Sequence, residues 1–519
     1  MNVELLGVLL LVGSVVLLVA ITAVRLAVGS GLPTLLLYLA LGIVLGDDSL
    51  GFGFDDPELA RALGYAALVV ILAEGGLTTP WSSIRTVVPA AASLAVVGTA
   101  ASVGVVAVAA HTVLDIGWQQ AILIGAVLSP TDSAAVFSVL RRVPLPPRLG
   151  GLLEAESGFN DAPAVILVVA LAGASAPSWW ELLLLIGYEL AVGAVVGLAV
   201  GFAGAWGVRR IALPASGLYP IAVLALCTAA YGAAAVIHAS GFLAVYLTGL
   251  VLGNSRLPHR PATRGFAEGM AWLAQIGLFV MLGLVATPSE LGPSILPALA
   301  IGVVLLVVAR PVSVVVALGP FGTRADTGLS TAALDGDDGR RVRWRLPTTW
   351  RERGLLSWAG LRGAVPVVLA TASADDDIFN LVFVLVVVFT LVQAPTLPAV
   401  ARRLRVVAED AAQPLDIESS PLTRLEADLL QVHVPAGSRL AGVEVTELSL
   451  PDGAAVTLVV RDGQAFVPRP STTLRVGDDL ILVATDSARS DVERRLRAVS
   501  VGGRLADWHA PRRRPGRRT

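Results

Sequence analysis

The chain has 519 residues, 55% hydrophobic and only 15% charged, with a mean hydropathy of +0.75. Soluble globular proteins carry about 25% charged residues, so this composition excludes an ordinary soluble fold; the formal net charge of −2 is uninformative, because the distribution of charge matters more than its sum, and no nucleic-acid partner is expected. Cys227 is the single cysteine, which excludes an intramolecular disulfide and any multi-cysteine metal cluster.

Many apolar runs are about 18 to 25 residues long, enough to cross a hydrocarbon core of about 30 Å as helix. The first begins after Met1-Asn2-Val3-Glu4, which lacks the basic start of a signal peptide, and Arg25 follows the apolar stretch; residues 3–21 read as a retained first span. Further spans are expected near 32–46, 60–78, 87–112, 119–140, 151–172, 181–207, 217–237, 240–253, 267–286, 294–319, 355–374 and 378–401. The fold class is therefore an all-α polytopic membrane protein of about 13 transmembrane helices, with a small cytoplasmic α+β domain after it.

Loop charge tests this order. Loops after odd-numbered spans carry Arg25; Arg85; Arg141, Arg142 and Arg148; Arg209 and Arg210; Arg256, Arg260 and Arg264; and a loop with Arg340, Arg341, Arg343 and Arg345. Loops after even-numbered spans carry Asp47, Asp48, Asp55, Asp56 and Glu58; Asp115; Glu181; Glu290; and Asp375 to Asp377. The basic bias of cytoplasmic loops puts the N-terminus outside and the C-terminus inside. Trp179 and Trp180 fit an interfacial aromatic belt. The acidic loop Asp47 to Glu58 reads as a solvated loop, and His111 and His238 as interfacial histidines. Glu74, beside Gly75 and Gly76, reads as a packing or interface carboxylate.

Ionisable groups at bilayer depth are expensive and usually face a water-filled path or an ion site. Span five contains Ser129-Pro130-Thr131-Asp132-Ser133. Pro130 lacks an N–H and disturbs the helix there, and freed carbonyls persist in a membrane only where they are buried in protein or line a cavity. Oxygens near Thr131, with Asp132, suit a hard monovalent cation; the rival reading is an ordinary proline kink with a structural carboxylate. Span six contains Glu156-Ser157-Gly158-Phe159-Asn160-Asp161. Ser157 and Asp161 share one helical face, Glu156 and Asn160 another, so the two carboxylates project about 140° apart. Span twelve carries a matching interruption, Gly360-Leu361-Arg362-Gly363-Ala364-Val365-Pro366. If spans 1–6 and 8–13 are inverted repeats, the two interruptions hold corresponding positions, as around a transporter's midplane site. Arg310 in span eleven and Arg362 in span twelve need carboxylate or carbonyl partners; Glu156 is the expected partner of Arg310. No nucleotide, heme or zinc motif appears, which leaves no support for ATP-driven pumping, for enzymatic catalysis or for a bound cofactor in the membrane part.

Together with Glu154-Ala155 before Glu156 and with Ala309-Arg310-Pro311, these stretches resemble the NhaP-like monovalent cation/proton antiporters over roughly residues 5–405. The resemblance implies an antiporter in which inverted repeats form a core domain that moves against a dimerisation domain in a homodimer. Asp161 would alternate between proton and cation; Glu156, Ser157, the Thr131 backbone and Asp132 would complete the site; Asn160 would brace the unwound region and Arg310 would compensate Glu156. An Asn-Asp pair, rather than Asp-Asp, resembles the electroneutral branch. The implied substrates are K+ or Na+ and H+, and the implied location is the bacterial plasma membrane. A membrane-embedded ligand sensor and a cation channel are the rival readings.

Composition changes after about residue 405, and residues 1–405 read as the transmembrane domain. Segments 428–434, 454–460 and 479–484 read as strands, and a helix is expected from an Asp486 cap to about Val499. Residues 418–500 resemble the C-terminal lobe of an RCK (TrkA-C) domain, which implies a regulatory ligand such as a nucleotide or cyclic dinucleotide. Residues 501–519 read as a basic disordered tail.

Overall fold

The computed structural model describes residues 3–30, 34–46, 48–52, 56–140, 143, 145–173, 177–211, 213–322, 348–373, 375–407, 417–422, 427–435, 437–485, 488–503 and 506. Asp47, Asp55, Arg141, Arg142, the arginines at 340–345, Asp486 and nearly all of the basic tail lie outside them. The chain divides into two compact units, Met1–Val407 and Ala408–Thr519.

The first unit is helical: α1 (Val3–Ser30), α2 (Thr34–Leu45), α3 (Pro57–Thr78), α4 (Trp81–Ile84), α5 (Val88–Ser93), α6 (Thr99–Leu114), α7 (Trp118–Val127), α8 (Ser133–Leu140), α9 (Pro147–Leu171), α10 (Trp179–Arg210), α11 (Leu218–Val236), α12 (Gly241–Asn254), α13 (Arg260–Val285), α14 (Ile295–Val304), α15 (Arg310–Leu318), α16 (Trp350–Trp358), α17 (Ala364–Ala370) and α18 (Asp376–Arg403). Among the described residues seven helical segments are long and apolar enough to cross a membrane. The helices lie on the predicted stretches, but several run further. α1 continues past Arg25 to Ser30, and α10 starts at Trp179, where the Ser178 hydroxyl accepts from the Glu181 amide and Glu181 reaches back to the Ser178 amide. That reciprocal cap satisfies two of the free amides at a helix start.

α5 and α6 are joined by a π-helical turn, Leu94–Gly98, and α14 and α15 by another, Leu305–Ala309. Pro311 follows the second and cannot donate to a preceding carbonyl, which favours the wider turn. The helices pack as two bundles: α1–α3 with α10–α13, and α5–α9 with α14–α18. Close backbone approach holds the first together. A Cβ on Gly197 of α10 would stand 2.6 Å from the Ala244 carbonyl of α12, and one on Gly76 of α3 would stand 2.4 Å from the Tyr246 carbonyl. Neither distance admits a side chain.

The second unit has strands β1 (Ile417–Leu422), β2 (Ala427–His433), β3 (Ala454–Arg461), β4 (Gln464–Phe466) and β5 (Asp479–Thr485), with α19 (Arg489–Gly502). Its antiparallel sheet has the order β1-β2-β5-β3-β4. Leu430, Val432, Leu480 and Leu482 face Val492, Leu496 and Val499 of the helix in one apolar core. β1 and β4 are additional to the three expected strands. The helix starts at Arg489 after Ala488, later than the expected Asp486. Asp478 is fully buried in this unit and accepts from Arg461 Nε and Nη2 at 2.8 Å each and from the Arg475 amide at 2.8 Å.

Candidate cation site

The site is built on two broken helices. α7 ends at Val127, residues 129–132 are not helical, and α8 resumes at Ser133. Pro130 leaves the Ala126 carbonyl without its helical donor; the Ser129 amide and hydroxyl fill that role at 3.2 and 2.8 Å. α16 ends at Trp358 and α17 begins at Ala364, with 360–363 not helical. The two breaks meet. The Asp132 amide donates to the Leu361 carbonyl at 2.9 Å, and Arg362 Nη1 donates to the Pro130 carbonyl at 2.9 Å. Thr390 of α18 donates to the Arg362 carbonyl at 3.1 Å. A Cβ on Gly363 would lie 1.9 Å from Asp132 Oδ2, so only glycine allows this crossing.

α9 supplies the other wall. Ser157 Oγ donates to the Thr131 carbonyl at 2.9 Å and accepts from the Ser133 amide at 3.2 Å. Asn160 Nδ2 donates to Thr131 Oγ1 at 2.7 Å. Asp132 Oδ1 accepts from the Ala135 amide at 3.1 Å, across the first turn of α8. Asp161 is 7% exposed, and its Oδ1 and the Asn160 Oδ1 have no hydrogen-bond partner among the described residues. Asp132 lies near enough for the two carboxylates to repel. A buried anion without a donor is costly and seeks a positive partner, and a proton or a small cation would serve equally.

Glu156 has a different neighbour. Its Oε1 is 2.6 Å from Arg310 Nη1, and the two side chains are 2% and 6% exposed. Arg310 crosses Gly360, where a Cβ would stand 2.6 Å from its Nε. The structure thus brings Asp161, Ser157, Asn160, Thr131 and Asp132 around one break, sets Glu156 against Arg310, and has Arg362 hold the crossing. Sequence reasoning did not single out Thr390, the Leu361 carbonyl or Tyr246, whose ring lies over Gly158. Their roles arise from side chains and carbonyls of distant helices, and no spacing signals them. His111 ends α6, its Nδ1 2.6 Å from the Ile116 carbonyl, and takes no part.

The family model for the transmembrane sodium/hydrogen exchanger matches residues 13–403, and that for the TrkA-C domain matches residues 429–497. The K(+)/H(+) antiporter NhaP of Alkalimonas amylolytica is 32% identical over 497 residues, covering 92% of this chain and 82% of that one. The K(+)/H(+) antiporter NhaP2 of Shewanella sp. (strain ANA-3) is 34% identical over 473 residues, covering 88% and 78%. The solved sodium proton antiporter MjNhaP1 from Methanocaldococcus jannaschii at pH 8 superposes with a TM-score of 0.62 at 20% identity, over 75% of this chain and 99% of that one; this last likeness concerns the fold alone.

Proposed function

The chain belongs to the sodium/hydrogen exchanger family, and from that premise we propose that it is a secondary active antiporter exchanging a monovalent cation for a proton. It is a multi-pass membrane transporter with a TrkA-C domain. The observation that carries the reading is the buried Asp161 carboxylate, one oxygen unpartnered, at the crossing of two broken helices.

Exchange requires only competition. Asp161 takes either a proton or a dehydrated cation, and a buried unpaired charge resists transfer through the bilayer. Each passage therefore carries one or the other, and the two ion gradients drive each other. Ser157, the Thr131 carbonyl, Asp132 and Glu156 supply further oxygens. Asn160 braces the break through Thr131, Arg310 balances Glu156, and Arg362 pins Pro130. The relatives named as K(+)/H(+) antiporters favour K+ as the cation, with Na+ as the competing substrate. The N-terminus lies outside and residues 418–500 inside, at the bacterial inner membrane. The transporter works as a homodimer, and a nucleotide or cyclic dinucleotide on the TrkA-C domain regulates it.

The test is dissipation of a pH gradient in vesicles by Na+, K+ or Li+. Asp161→Asn should fold and lose exchange; a well-folded Asp161→Asn protein with wild-type flux would remove Asp161 from its role. One cation for one proton leaves no net charge moved, so an imposed membrane potential should not change the initial rate at saturating cation. A rate that climbs with potential, in vesicles without leak, would refute electroneutrality.

A further inference from the structure

Glu154, Gly158 and Asp161 stand at i, i+4 and i+7 on α9 and so share one face. This stripe leads from near the Pro147 end of the helix to the buried carboxylate, a distance of about 10 Å from Glu154 at 1.5 Å per residue. Two residues of the other bundle close it. Tyr246 of α12 is 2% exposed, and its Cε2 and Cζ would each lie 2.4 Å from a Cβ on Gly158. Its ring meets Phe159 edge-on, with centroids 5.5 Å apart. Thr79, at the end of α3, donates to Glu154 Oε1 at 2.5 Å and is itself fixed to α12 by Asn254 Nδ2, which donates to the Thr79 carbonyl at 2.9 Å.

We propose that Tyr246, seated on Gly158 and flanked by the Thr79–Glu154 hydrogen bond, is the gate that closes the cation site on the Pro147 side. The inference rests on the exchange reading and adds the residues that occlude the site. Three observations carry it. The seat exists only because residue 158 is glycine, and it lies between Asp161 and the end of the helix. Tyr246 cannot retreat with its backbone, because its carbonyl is pressed against Gly76 of α3. Its hydroxyl is buried beside Thr79 and Glu154, so the tip of the ring stands against the hydrogen bond that ties the end of α3 to α9. Opening would uncover a stripe with the Glu154 carboxylate at its mouth and Asp161 at its end.

The test uses the purified full chain in vesicles, with K+-driven proton exchange and uncoupled K+ efflux measured together. Tyr246→Ala removes the plug and should raise uncoupled efflux by about tenfold or more over wild type, equivalent to a barrier lowered by about 1.4 kcal/mol. Tyr246→Phe keeps the ring and should remain tight. Gly158→Ala, which deletes no side chain but denies the ring its seat, should leak as Tyr246→Ala does, and it serves if the larger deletion fails to fold. A folded Tyr246→Ala or Gly158→Ala protein that exchanges without added leak overturns the gate, whereas loss of stability alone produces no uncoupled efflux. A wild-type protein that shows no cation–proton coupling overturns the exchange reading instead.

Discussion

Removing Arg310 tests how the core is held together. Arg310 Nη1 and Glu156 Oε1 are 2.6 Å apart, and both side chains are almost wholly buried. At an effective dielectric constant near 20 their gross attraction is about 6 kcal/mol, most of it offset by the cost of taking both charges from water. The net worth of the pair is therefore modest, while deletion of one member strands the other. That loss is about 3–5 kcal/mol. Arg310→Ala leaves the Glu156 carboxylate without a cation and also opens the space over Gly360. It should lower thermal stability in detergent strongly. Glu156→Gln keeps the shape but leaves Arg310 uncompensated, with Arg362 close by. The double variant strands neither charge, so its loss should fall short of the summed single losses by about 2 kcal/mol, within the range of coupling between contacting residues. Thermal melts of the four proteins, followed by the monodisperse fraction on size exclusion, measure the cycle. Additive losses would refute the reasoning, because they would mean that the two groups do not sense one another.

Two further outcomes are expected. Gly363→Ala places a methyl group 1.9 Å from Asp132 Oδ2 and must push the two breaks apart; exchange should fall by about tenfold or more, and wild-type flux would show that the crossing is loose. Truncation after Val407, at the boundary between the compact units, should leave a folded, cation-selective exchanger with an altered rate or pH response. A stable truncated protein that is inactive with every cation and at every pH would make the second unit part of transport itself.

The helical plan was legible because long apolar runs permit few alternatives. Breaks at 129–132 and 360–363 were legible for a local reason: proline and glycine remove donors or side chains wherever they occur. Helix ends were less so. The first span read as residues 3–21, with Arg25 beyond it, yet the helix continues through Arg25 to Ser30, since a long basic side chain reaches the interface without ending a helix. β1 contains Glu418, two serines and Pro421, and β4 has three residues, so neither gave a strand pattern. They exist as edge partners of β2 and β3. In the site, residue types were visible but pairings were not. Arg362 needed an acceptor, and only the fold decides that this is the Pro130 carbonyl rather than a carboxylate. Tyr246 reads in the sequence as one aromatic in an apolar helix, and its position over Gly158 depends on how two bundles meet.

The bond from Arg362 to Pro130 spans 232 positions of sequence. At a synthesis rate of roughly 5–20 residues per second, span five waits about 10–50 s for the guanidinium that will hold its unwound carbonyl. Until then a broken helix sits in the membrane with an acceptor that no later helix has reached. The nascent protein must either shelter that segment in water or keep it wound until span twelve arrives. Assembly of the ion site is thus one of the last events in the making of the membrane part, and a chain released before Arg362 emerges contains every oxygen of the site and none of its geometry.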